Sequence, residues 1–260
     1  MLFRSRDLNW PIVLKPNAGQ RGAAVRVIED DTSALRYFHE HPQATLAQKF
    51  HAGPHEMGIF YIRFPDQSVG QIFSITDKQF PRVVGDGHST LAELIWSDAR
   101  LRMQADRFLQ RHAERADEVL ALGQTFMLAK SGNHCQGTKF LRGEHMRSPE
   151  LEQAIDRIAQ RWPDFSFGRF DVRYADMNEM RAGRGLAVVE LNGLTSESTD
   201  IYDPSNSLLW AYRRLSQQWK LAFAIGAAHR KRGVQPASWR EIIADARNFY
   251  DSRSQDMLAD

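Results

Sequence analysis

The chain has 260 residues, 42% hydrophobic and 25% charged, with 34 Lys and Arg against 32 Asp and Glu. That balance excludes a disordered polyelectrolyte, which could not bury enough apolar surface to offset chain entropy. It also lacks the clustered basic stripe of a dedicated nucleic-acid binder. A prior of about 150 residues per domain allows one large domain or two modest ones. The single cysteine, Cys135, excludes an intramolecular disulfide and a four-cysteine zinc site, and suits a reducing compartment. No apolar run reaches the ~20 residues of a membrane helix, and the first residues lack a stretch of signal-peptide length. The expected location is cytoplasmic, with neither membrane nor nucleic acid as partner.

Taken in order, Trp10–Pro16 reads as a buried strand ended by Pro16. A glycine-bearing basic loop, Asn17–Gly22, then leads into a second strand over Ala23–Ile28. Asp31, Thr32 and Ser33 offer caps for a helix over Ala34–Glu40, which His41-Pro42 ends. Thr45–Phe50, Glu56–Phe64 and Gln71–Ile75 read as strands, the last antiparallel to the aromatic run before it. Arg82–Thr90 is a strand with a tight turn, and Ser89 or Thr90 caps a helix over Leu91–Trp96. Asp98–Leu122 predicts a charged, mostly solvent-facing helix. Gly123–Ala129 returns to strand, and Ser131–Gly137 is an irregular polar loop. Pro149–Trp162 predicts an amphipathic helix carrying Leu151, Ile155 and Ile158 on one side. Phe167–Tyr174 and Gly185–Leu191 are strands, and Asn206–Ala228 and Trp239–Tyr250 are helices. Strands and helices mix without repeat or linker, so the class is α+β.

Four segments carry candidate chemistry. Lys15 to Gly22 places a lysine at a strand end before glycines and Arg21, which suits phosphate. A basic hairpin with structural glycines explains it equally well. Strand alternation puts Arg169, Asp171 and Arg173 on one face, and Glu190 and Asn192 on one face of a later strand. If those strands are neighbours, two carboxylates and an amide converge, which is the oxygen chemistry Mg²⁺ requires. A cross-strand salt-bridge network is the alternative. Gly132 to Lys139 reads as a substrate or phosphate loop, since adjacent His134 and Cys135 are poor ligands for one zinc. Val84 to Thr90 reads as a turn with a helix cap, in which Asp86 or His88 would be the catalytic candidates. No serine or cysteine nucleophile motif is present.

In their order, the segments KPNAGQRGAAV, QKFHAGPHEMGIFYIR, VVGDGHSTLAELI, GNHCQGTKF, GRFD and ELNGLTSESTDIYDP resemble the ATP-grasp superfamily of carboxylate–amine ligases. The resemblance spans roughly Pro11 to Trp219. It implies an ATP-grasp fold without its preceding lobe. The partial lid would be residues 1–50, the core with the metal site 51–204, and the C-terminal helices 205–260. It implies that Lys15 binds ATP phosphates under a loop carrying Gly19, Arg21 and Gly22. Gln48, Lys49, Phe50 and His51 would edge the adenine, and Glu56 would meet the ribose hydroxyls. Asp171, Glu190 and Asn192 would ligate Mg²⁺, as two ions, or Mn²⁺. Arg169, Lys139 and Asn133 would be the catalytic set, and Ser196 with Glu197–Tyr202 would border the acceptor. The implied reaction joins a small-molecule or peptide carboxylate to an amine through an acyl phosphate. The alternative is a MgATP-binding module without turnover. A homodimer stays open. Gln48 departs from the acid found there in many members, and SESTD replaces SEPTH.

Overall fold

The computed structural model describes residues 8–17, 24–129, 132 and 134–256. The chain forms two compact units, one of residues 1–52 with 226–260, the other of residues 53–225. The Asn17–Gly22 loop falls largely outside the described residues, and so do Gly19, Arg21, Gly22 and Asn133.

In the first unit, strand β1 (Ile12–Pro16) lies between β2 (Arg26–Ile28) and β3 (Thr45–Lys49), antiparallel to both. Helix α1 (Asp31–Glu40) packs Ala34 and Tyr37 onto Ile12, Leu14 and Ile28. It starts three residues earlier than predicted. Its cap is Asp30, whose carboxylate accepts the Ser33 N–H at 2.7 Å, and Ser33 closes the box back onto Asp30.

The second unit is built on a five-stranded antiparallel sheet. Its strands are β4 (His55–Ile62), β5 (Gln71–Gln79), β8 (Lys139–Arg142), β9 (Phe167–Tyr174) and β10 (Ala187–Asn192), in the order β10-β9-β4-β5-β8. One face is mostly apolar: Met57, Ile59, Ile75, Phe170 and Val172 meet Leu151 and Ile155 of α4 (Pro149–Ala159) and Met180 of α5 (Met177–Arg181). Ser148 caps α4 by accepting the Leu151 N–H, and Pro149 fills the first turn. The other face is divided. Phe60, Ile62 and Phe167 are covered by Ala222 and Ile225 of α6 (Leu208–Lys231), while the rest is polar.

A smaller layer pairs β6 (Arg82–Val84) with β7 (Thr125–Met127) beside α2 (Leu91–Ser97) and α3 (Ala105–Arg111). Thr90 and Glu93 make the predicted cap of α2 into a full capping box. The long helix predicted over Asp98–Leu122 does not form. The segment breaks into a 3-10 turn at Leu101–Gln104, α3, and another 3-10 turn at Ala113–Arg115. Apolar spacing explains this: Leu101, Ala105 and Phe108 keep a helical period and are buried, and the period lapses after Arg111. The final helix, α7, spans Trp239–Asp256.

Candidate functional site

The polar half of the five-stranded sheet is set by register. Asp171 of β9 lies opposite Glu190 of β10 on one side and Gly58 of β4 on the other. Arg169 faces Asn192, and Arg173 faces Glu56. Glu56 in turn pairs with Lys78 of β5, and Gly58 with Thr76. Directly paired residues share a face, so these side chains form one contiguous patch. The strand β10 carries a bulge between Val188 and Glu190, which brings Glu190 and Asn192 into phase with Asp171 and Arg169.

A chain of five charges runs through this patch. Arg173 Nε lies 3.2 Å from Glu56 Oε2, and Lys78 Nζ lies 2.9 Å from Glu56 Oε1 and 3.0 Å from Asp171 Oδ2. Arg169 Nε closes the chain at 2.9 Å from Asp171 Oδ1. The side chains of Lys78, Glu56 and Asp171 are at most 7% exposed. Burial alone would raise the Asp171 pKa, but the charges of Lys78 and Arg169 outweigh it and hold the carboxyl below its ordinary range. Three cations against two carboxylates leave a surplus of positive charge, with exposed Glu190 at its rim.

Gly58 explains how Arg169 lies across the sheet. A Cβ there would stand 3.2 Å from Arg169 Cδ and 3.5 Å from Asp171 Oδ1. The far end of that guanidinium donates to the Glu197 carbonyl at 3.1 Å. The segment Ser196–Asp203 covers the patch from above. Thr199 Oγ1 bonds Thr76 Oγ1 at 2.9 Å, and the Ser74 hydroxyl meets Ser198, which donates to Asp200. Asp200 pairs with Arg214 of α6 at 3.3 Å, yet burial pushes its pKa up. Tyr202 donates to Glu197 Oε1 at 2.6 Å, and burial with that carboxylate beside it raises the phenol to about 12.

The Gly132–Lys139 loop reaches the same patch. At Gly132 a Cβ would fall 1.9 Å from Glu56 Oε1, so only glycine lets the backbone rest on the buried acid. His134 stacks on Phe140 with ring centroids 4.9 Å apart and leans on Tyr202 at 5.2 Å. Burial, aided by Arg100, lowers its pKa, so the ring is neutral at pH 7. The loop is held at both ends. Arg111 and His112 engage the Leu128 carbonyl, and Arg100 donates to that of Thr138. At the other turn, Asp86 accepts the N–H groups of His88 and Ser89, the geometry of a turn with a cap.

The second unit thus brings together Glu56, Arg169, Asp171, Glu190 and Asn192. Lys139 begins β8 opposite Gln79, and alternation sends it to the other sheet face from Phe140 and Lys78. Lys15 lies on β1 opposite Leu46. Gln48 and Lys49 lie on β3 opposite Val13 and Ile12, followed by Phe50 and His51, all in the first unit. The sequence reading missed Lys78, the hub of the patch. Its signal is alternation: Ser74, Thr76 and Lys78 stay in phase beyond the apolar part of β5.

Whether a divalent cation fits turns on donor chemistry. Among the described residues no group of three His, Cys, Asp or Glu is arranged to hold one. Both Asp171 oxygens already face cations. Glu190 has no ion pair among the described residues, and the Asn192 amide nitrogen is buried without a hydrogen-bond partner. A half-turn of that amide exchanges an orphan donor for an acceptor oxygen on the strand that carries Glu190. One carboxylate and one amide oxygen suit Mg²⁺, which takes its other ligands from water and phosphate.

No protein-family model matches the chain, and no curated protein matches it. Among solved structures it is similar to a bifunctional glutathione synthetase from Pasteurella multocida, at 13% identity and a TM-score of 0.44 over 81% of this chain and 30% of that one. It is also similar to a D-alanine–D-alanine ligase from Bacillus anthracis, at 14% identity and a TM-score of 0.43 over 87% of this chain and 57% of that one. The chain therefore spans less than two thirds of either structure.

Proposed function

We propose that the chain is an ATP-dependent ligase of the ATP-grasp type, joining a carboxylate to an amine. One observation carries the reading: Asp171 and Glu190 stand opposite each other on neighbouring strands, with Asn192 in phase and the cations of Lys78 and Arg169 against Asp171. Part of the ordered motif set that resembles ATP-grasp ligases supports it, since GRFD, ELNG, SESTD, HEMG and the start of GNHCQG contribute to this patch.

In this reading Glu190 and Asn192 would hold Mg²⁺, which would supply charge neutralisation between triphosphate and substrate carboxylate. Asp171 does a different job. It fixes Lys78 and Arg169, so neither cation reorganises when an anion arrives. Arg169 is held at both ends of its guanidinium, by Asp171 and the Glu197 carbonyl, and presents its remaining N–H groups to a phosphoryl oxygen or oxyanion. Glu197 and Tyr202, tied to each other and next to His134, border the acceptor.

Phosphate release from MgATP, measured with a panel of amino acids and short peptides in pairs, tests the reading. Release that needs both a carboxylate and an amine supports the ligase. ATP binding with no turnover for any pair identifies a nucleotide-binding module instead, and no ATP binding ends the proposal.

A further inference from the structure

Helix α6 presents a second face that the nucleotide site does not use. Its inner side carries Gln218, Ala222 and Ile225, all buried. Its outer side exposes Leu208, Tyr212, Trp219 and Phe223, at 73%, 64%, 44% and 75%. These four are spaced four, seven and four residues apart, which places them on one stripe of a helix. Trp219 and Phe223 touch along it, with ring centroids 6.2 Å apart.

Charge marks the edge of the stripe. Over 24 residues α6 contains no Asp or Glu, in a chain that has 32 of them. Arg213 and Lys220, two turns apart, are both exposed and line the same flank. Neither makes an ion pair among the described residues, whereas Arg214, on the inner side, is taken by Asp200. A two-fold contact between two copies of this helix would bring Arg213 and Lys220 against like charges, so self-association is disfavoured. No helix among the described residues is long and apolar enough to cross a membrane.

We propose that the outer face of α6 docks on an anionic lipid surface. Trp219, Tyr212 and Phe223 would enter the headgroup layer, and Arg213 and Lys220 would meet lipid phosphates. Aromatic residues bordered by cations and free of acids are the composition that an interfacial helix needs. The inference is independent of the nucleotide reading and runs against the expectation that the protein has no membrane partner.

Co-sedimentation of the full chain tests it, using vesicles of phosphatidylcholine alone and with about 30% phosphatidylserine. The expected result is binding only to the anionic vesicles, released by salt. Arg213→Gln with Lys220→Gln should weaken it at least about tenfold, as should Phe223→Ser, each with an unchanged melting temperature. Equal binding to both vesicle types, no binding, or binding unaffected by these exposed-site variants would overturn it. So would a concentration-dependent dimer that Phe223→Ser dissolves, since that would make the face a contact between copies.

Discussion

Replacing Asp171 with Asn tests the assignment of this carboxylate as the clamp of Lys78 and Arg169. The variant keeps shape and removes one charge from a patch where the acid is 5% exposed and lies within 3.0 Å of one cation and 2.9 Å of another. Breaking a buried ion pair from one side costs about 3–5 kcal/mol, because the partner charge is left uncompensated. Here Glu56 still faces Lys78, and the asparagine oxygen can still accept from one donor. The expected loss is therefore about 3 kcal/mol, or about 6–12 °C in melting temperature for a unit of this size. Glu190→Gln, at an exposed position, should leave the melting temperature unchanged. The pH dependence follows from the lowered Asp171 pKa. A carboxylate whose folded pKa lies below its unfolded value, about 3.9, contributes its full stability above that value and loses it as pH falls through the folded pKa. The gap between wild type and Asp171→Asn should thus be constant from pH 5 to 7, about three orders above that midpoint at its upper end, and should close below about pH 4. Urea unfolding at several pH values measures it. A loss under about 0.5 kcal/mol at neutral pH, or an equal loss in Glu190→Gln, would refute the reasoning.

Gly132→Ala should destabilise by about 1–3 kcal/mol, because the new methyl meets a buried carboxylate that has no room to swing; denaturant unfolding checks this. Ser148→Ala should cost about 2 kcal/mol in the same assay, since it removes the cap of α4 and leaves the Arg181 carbonyl without its hydroxyl donor. Glu56→Gln should melt earlier than wild type too, as Lys78 and Arg173 both lose a charged partner; thermal unfolding checks this.

Much of this architecture was legible in local pattern. Phe167–Tyr174 reads directly as a strand because its polar residues alternate, and that alternation is what places Arg169, Asp171 and Arg173 together. Thr90 with Glu93 announces its helix through capping chemistry alone. The juxtaposition of Asp171 and Glu190 required only that two short strands be neighbours, and the bulge before Glu190 completes it. The failures were tertiary. The strand β5 runs four residues past Ile75, because pairing with β4 and β8 extends it where apolar pattern stops, and Lys78 lies in that extension. Lys139–Arg142 is too short to show a period, so pattern alone does not announce it as a strand. A cation buried between two acids from different strands has no local signature. Of the two alternatives for this patch, the salt-bridge network is what Asp171 forms, held by Lys78 and Arg169, and a metal at Glu190 and Asn192 remains a proposal.

The central claim is that Glu190 and Asn192 bring a divalent cation to a bound triphosphate. Calorimetric titration of ATP into the whole chain, with Mg²⁺ and then with the metal chelated, tests it in wild type and in Glu190→Gln. Mg²⁺ should strengthen ATP binding to the wild type, and this gain should vanish in Glu190→Gln at an unchanged melting temperature. Equal ATP affinity with and without Mg²⁺, or an undiminished gain in the variant, would contradict it.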